Sequence, residues 1–123
     1  MSHVEFEILK GKTLIAIVGA TAGSDQIEFY SDAGDFVMYH HGECCESVQV
    51  EDIAGDIADL IGSPILLAEE SSNSEILDGK PANPYSFTWT FYKLATAKGH
   101  VTLRWLGSSN GYYSESVSFE EKR

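Results

Sequence analysis

Residues 51–64 read Glu-Asp-Ile-Ala-Gly-Asp-Ile-Ala-Asp-Leu-Ile-Gly-Ser-Pro, and the way this stretch folds decides the class of the chain. Ile53, Ile57, Leu60 and Ile61 lie at i, i+4, i+7 and i+8, with Asp52, Asp56 and Asp59 on the other side. That spacing predicts one amphipathic helix. Glu51 and Asp52 suit the positive end of its dipole, Gly62 closes it, and Pro64 stands just beyond.

Outside this segment the apolar period is mostly two, which predicts strands. The first 40 residues read as a meander of about four strands. Val4, Phe6 and Ile8 alternate with Glu5 and Glu7, and Ser31-Asp32-Ala33-Gly34 forms a hairpin connection. After the helix, Ile65 to Ala68 is a short buried strand, and the polar residues 71–84 form one long loop. Three strands follow, Tyr85 to Leu94, His100 to Leu106 and Tyr112 to Phe119. Ala97-Lys98-Gly99 and Gly107-Ser108-Ser109-Asn110-Gly111 connect them. The expected fold is therefore α+β: an antiparallel β-sheet with one principal amphipathic helix packed on it, in a single domain spanning residues 1–123.

Composition excludes several functions. Eight Lys and Arg against nineteen Asp and Glu give a net charge of −11. Duplex nucleic acid and anionic membranes both call for a basic face, so neither is an expected partner. A hydrophobic fraction of 43% with 11% aromatic residues separates the chain from acidic disordered tails. No apolar run reaches the length of a membrane span, and the N-terminus lacks a signal-peptide pattern, so a cytosolic location is expected. Cys44 and Cys45 are adjacent and make no disulfide framework. Their neighbours His40, His41, Glu43 and Glu46 do not give the spacing of a closed zinc site. No metal, cofactor or catalytic residue is assigned.

Three features carry candidate chemistry. Phe87, Trp89 and Phe91 point to one face of a strand, opposite Thr88, Thr90 and Tyr92. Such a row packs a core or stacks a base. Arg104 is the only arginine besides Arg123, and it points opposite Leu103 and Trp105. It is either half of a structural ion pair or a phosphate clamp, because a guanidinium grips phosphate with two parallel bonds. The small polar stretch 107–111, followed by Tyr112 and Tyr113, is either a turn or a grip for ribose hydroxyls.

Two blocks, residues 36–70 and 86–120, contain the strings YHHGECCESV, EDIAGDIADLIGSPI, TWTFY and RWLGSSNGYYSE. As a set these resemble the first family of phage Thoeris anti-defence proteins. The resemblance implies a non-enzymatic sponge in the host bacterial cytoplasm during infection. It would bind cyclic ADP-ribose isomers (gcADPR type) made by Thoeris TIR-domain proteins and hold them without cleavage. It also implies a homo-oligomer, a dimer or a hexamer built as a trimer of dimers, with pockets near the dimer interface. Cyclic di- or trinucleotides of CBASS defence are an implied second ligand class.

Within the matching motifs, Arg104 is assigned to pyrophosphate, and Phe87 and Trp89 to stacking on adenine or to the pocket wall. Ser109, Asn110 and Tyr112 are assigned to ribose or base edges. Two rivals compete with this reading. A hydrolase of a nucleotide second messenger would change its ligand, and a phage structural or protein-inhibitor module would not bind it at all.

Overall fold

The computed structural model describes residues 2–40, 47–76, 86–109 and 116–122. Nine strands form two antiparallel sheets. In chain order they are β1 (Ser2–His3), β2 (Leu14–Val18), β3 (Gln26–Ser31), β4 (Gly34–Tyr39), β5 (Ser47–Ala54), β6 (Leu67–Ile76), β7 (Ser86–Thr96), β8 (Gly99–Ser109) and β9 (Ser118–Lys122). The first sheet has the order β1-β9-β4-β3-β2 and the second β5-β8-β7-β6. The inner faces of both enclose one core, with Ile27, Phe29, Phe36 and Met38 from the first and Val50, Tyr92, Leu103 and Trp105 from the second. Phe119 joins the Phe6, Phe29 and Phe36 rings, with centroids 5.2, 5.9 and 5.5 Å away.

The expected helix does not form, and the α+β class is corrected to all-β: the described residues contain no α-helix, only two single 3-10 turns. Three causes act together. First, Val48 and Val50 are buried while Gln49 and Glu51 are exposed, so the strand period enters the segment from its N-terminal side. Second, pairing of β5 with β8 runs on to Ala54 opposite Thr102, and a helix over the same residues would forfeit those bonds. Third, Gly55 has φ +110°, outside the helical range. Asp56 then accepts the Ala58 N–H at 3.0 Å and caps a 3-10 turn, Ile57–Leu60, whose Leu60 is fully buried. Gly62 closes this short turn, with φ +84°. The three aspartates that helical spacing placed on one face have separate surroundings: Asp52 pairs with Arg104, Asp56 caps the turn, and the Asp59 carbonyl accepts the Thr96 hydroxyl.

Further boundaries differ from expectation. Residues 6–9, read as part of a strand, form the other 3-10 turn. Phe6 and Leu9, three apart, share its buried side, because side chains at i and i+3 eclipse in this helix. The polar residues 71–76 belong to β6 and pair with β7 from Phe91 to Ser86, so the expected loop is a strand as far as Ile76. Polar side chains suit this position because β6 ends its sheet and its backbone supplies the bonds. Residues 77–84 lie outside the described residues. Likewise Gly107, Ser108 and Ser109 continue β8 instead of turning. The Ser31–Gly34 hairpin forms as expected, with Ser31 paired to Gly34.

The two sheets are also stitched by backbone. Gly23 N–H donates to Val50 O, and Val50 N–H donates to Ser24 O, both at 2.7 Å, so the β2–β3 connection covers the outer edge of β5 there. Across the outer face of the first sheet Lys122 pairs with Glu28, and Tyr30 OH donates to Glu28 at 3.0 Å. The hydrogen bonds from Lys122 and Tyr30 hold the Glu28 carboxyl below its ordinary range. A lowered folded pKa contributes stability above the ordinary value of 4.5, and that contribution is lost as pH falls through the folded value. Lys122 is raised, chiefly by its bond to Glu28, so its contribution persists until pH climbs past its own folded value. Urea midpoints taken from pH 7 to pH 3 should fall less steeply for Glu28→Gln than for the wild type. Parallel profiles would show that this pair carries none of the pH dependence.

Candidate functional site

The outward face of β5-β8-β7-β6 gathers two of the six sequence-predicted site residues. In β8, Val101, Leu103 and Trp105 are fully or almost fully buried, which turns Thr102, Arg104 and Leu106 outward. The tight β7–β8 turn at Ala97-Lys98 sets Thr96 opposite Gly99, and that register places Phe91 opposite Arg104. Phe91 and Trp89 therefore share the outward face, while Thr90, Tyr92 and Leu94 enter the core. The aromatic row does not pack a helix. The Trp89 and Phe91 rings stand outside the sandwich, half-buried among their neighbours.

Arg104 and Trp89 meet there. The guanidinium carbon lies 5.2 Å from the Trp89 ring centroid, within cation–π range. Trp89 and Phe91 are stacked at 6.5 Å with an 18° interplanar angle. On its other flank Arg104 faces Asp52 of β5, with one Nη2–Oδ2 contact of 3.3 Å between side chains 42% and 55% exposed. A single contact at that exposure contributes at most about 1 kcal/mol. Arg104 Nε, in contrast, is sealed from solvent and has no acceptor. A buried donor without a protein partner is unusual. Lys93 is the next outward position along β7, opposite Glu69.

The other predicted residues are less defined. Phe87 is in β7, two positions before Trp89 and paired with Ser108, and Ser109 ends β8 opposite Ser86. Asn110 and Tyr112 lie outside the described residues, as do His41 to Glu46. His40 Nδ1 lies 2.7 Å from the Ser116 carbonyl. Among the described residues no group of three or more His, Cys, Asp or Glu could hold a metal ion. No helix among them is long and apolar enough to cross a membrane.

Sequence reasoning missed Asp52 as a member of the site, because the helical reading sent it to a solvent face. The Val48/Val50 alternation was the available signal. It also left Phe91 out of the site although it named the row. The register implied by the short β7–β8 turn, carried back from Arg104, would have placed it.

A cleft lies elsewhere, between the Phe6–Leu9 turn and the edge strand β6, with a volume of about 650 Å³. Glu5, Glu7, Glu69, Glu70 and one lysine, Lys93, line it. Four carboxylates against one ammonium repel a phosphate, so this cleft does not suit an anionic ligand. Beneath it, burial and the charge of Glu70 push the Tyr92 hydroxyl far above the usual phenol range. The outward Arg104–Trp89 pair is the better candidate for a ligand that carries both a ring and an anion.

No curated protein and no solved structure matches the chain. A family model described as a domain of unknown function, DUF7448, matches residues 7–119. That span takes in the whole second sheet with the Arg104 face, and the first sheet apart from β1 and the last three residues of β9, and the chain belongs to the DUF7448 family.

Proposed function

We propose that the protein captures a cyclic ADP-ribose isomer and holds it uncleaved, as its resemblance to the first family of Thoeris anti-defence proteins implies. The observation that supports this most is Arg104. Its guanidinium lies on an aromatic face, and the side chain is 42% exposed with a single loose partner. A ligand with a phosphate and a planar base answers both features. In this reading Arg104 binds pyrophosphate, while Trp89, with Phe87 two residues before it in β7, takes adenine or forms the pocket wall. Ser109, Asn110 and Tyr112, at and just past the end of β8, bond ribose or base edges.

An outward sheet face offers one wall, and a ligand pocket encloses most of its occupant. The second wall in this proposal is another copy of the chain, in a dimer or a trimer of dimers. Capture would take place in the cytoplasm of an infected bacterium. Sequestration needs no chemistry. It needs sites in excess of free signal and a dissociation constant below the concentration that triggers the effector. Cyclic di- and trinucleotides form the second ligand class of the proposal.

The test is calorimetric titration of cyclic ADP-ribose and its glycocyclic isomers into wild type and Arg104→Ala. Heat denaturation and mass spectrometry of the released ligand follow. Wild type should bind at micromolar concentration or below, Arg104→Ala should bind roughly tenfold or more weakly, and the ligand should return unchanged in mass. A changed mass would indicate the hydrolase. Absence of heat across all isomers would reject capture. A lowered melting temperature of unliganded Arg104→Ala with unchanged affinity would make Arg104 a structural residue.

A further inference from the structure

We infer that Asp52 is a built-in competitor for Arg104 and sets the threshold an anion must pass to bind. This rests on the reading of Arg104 as the phosphate-binding residue. The placement of Asp52 is a product of the backbone. Val50 pairs with Trp105, and without irregularity the next residue of β5, Glu51, would face Arg104. A bulge between Val50 and Asp52 skips one position and sets the shorter carboxylate opposite the guanidinium instead.

The resulting pair is half-made. One nitrogen meets one oxygen at 3.3 Å, longer than a charge-assisted hydrogen bond and without the second parallel bond of a fork. Arg104 Nε is left sheltered and without an acceptor. Both side chains remain partly exposed, so Asp52 can swing into water without a buried charge being left behind. The carboxylate therefore neutralises Arg104 at rest and yields to a better acceptor.

This arrangement has a consequence for selection. Any phosphate approaching Arg104 must displace Asp52 and then sit beside its charge, with Glu51 also exposed nearby and the whole chain at −11. That penalty falls on every anion and grows with its charge. Simple phosphates have only the guanidinium to offset it. A ligand with an aromatic base adds stacking on Trp89 and stays above the threshold.

The experiment titrates inorganic pyrophosphate and cyclic ADP-ribose into wild type, Asp52→Asn, Asp52→Glu and Arg104→Ala by calorimetry at fixed low salt. Asp52 is exposed and has no core role, so Asp52→Asn should melt with the wild type. Asp52→Asn should bind both probes more tightly, by roughly tenfold, which brings pyrophosphate into the measurable range. Asp52→Glu keeps the charge and should leave pyrophosphate binding weak. If Arg104→Ala loses cyclic ADP-ribose while Asp52→Asn gains nothing for either probe, the competitor role is overturned and the phosphate reading stands. If Arg104→Ala binds cyclic ADP-ribose as the wild type does, the phosphate reading itself falls and the competitor role with it.

Discussion

Trp105→Ala should lower the unfolding free energy by about 3–5 kcal/mol, the range for deleting a buried aromatic side chain. Trp105 is the largest of the fully buried side chains, with no exposed surface. It stands on β8, and its Nε1–H donates to the Met38 sulfur on β4 at 3.1 Å, so it spans the core from one sheet to the other. Truncation removes the packing of both inner faces and leaves a cavity that two backbone-paired sheets cannot collapse to fill. A second variant separates packing from the polar bond. Met38→Leu keeps most of the volume but leaves the indole N–H buried without an acceptor, a loss of about 1–3 kcal/mol. Urea unfolding followed by far-ultraviolet circular dichroism reads both. A loss below 1 kcal/mol for Trp105→Ala would mean that the two sheets do not share this core.

Gly55→Ala distinguishes the observed fold from the expected one by the sign of its effect. In an amphipathic helix over residues 52–61, alanine for glycine would stabilise by about 1 kcal/mol. In the observed fold it should destabilise by about 2 kcal/mol or more, because a side chain at positive φ is strained before any contact is counted. The contact adds to the strain: a Cβ at Gly55 would lie 2.5 Å from the His100 carbonyl oxygen and 3.1 Å from Val101 Cα. These are backbone atoms of β8, held by pairing with β7, and they cannot give way cheaply. Gly11→Ala is the internal control. It has a similar positive φ of +91°, but nothing lies within 4 Å of its added Cβ, so it should report the strain alone, about 1–2 kcal/mol. A gain in stability for Gly55→Ala in urea unfolding would contradict the strand-and-turn path of this segment.

The helix expected at residues 53–61 shows why a period can mislead. Ile53 serves the end of β5, while Ile57, Leu60 and Ile61 serve the turn after it. Four apolar residues from two different elements happened to fall at helical intervals. Only the pairing of β5 with β8, whose partners are some fifty residues away in sequence, separates them. The strand β6 was hidden for the opposite reason. Its Ser, Asn and Glu side chains carry no apolar alternation, and an edge strand held by backbone bonds to β7 does not need one.

The candidate site was legible in part. Alternation alone turned Arg104 away from Leu103 and Trp105, and it put Trp89 and Phe91 on one face. It did not say that the more aromatic face of β7 would point outward. That choice follows from Arg104, which cannot be buried without a full set of partners, acting through the β7–β8 register on its neighbour Phe91.

Taken by itself, the chain determines its anionic charge, its hairpin at Ser31–Gly34 and the alternation of β7 and β8, because each is a property of neighbouring residues. The tertiary structure alone decides whether residues 51–61 coil or extend, which face of an amphipathic strand is sheltered, and that Asp52 rather than Glu51 meets Arg104. Those outcomes depend on which distant backbone supplies the hydrogen bonds and which side chains arrive from across the core, and no local pattern encodes either.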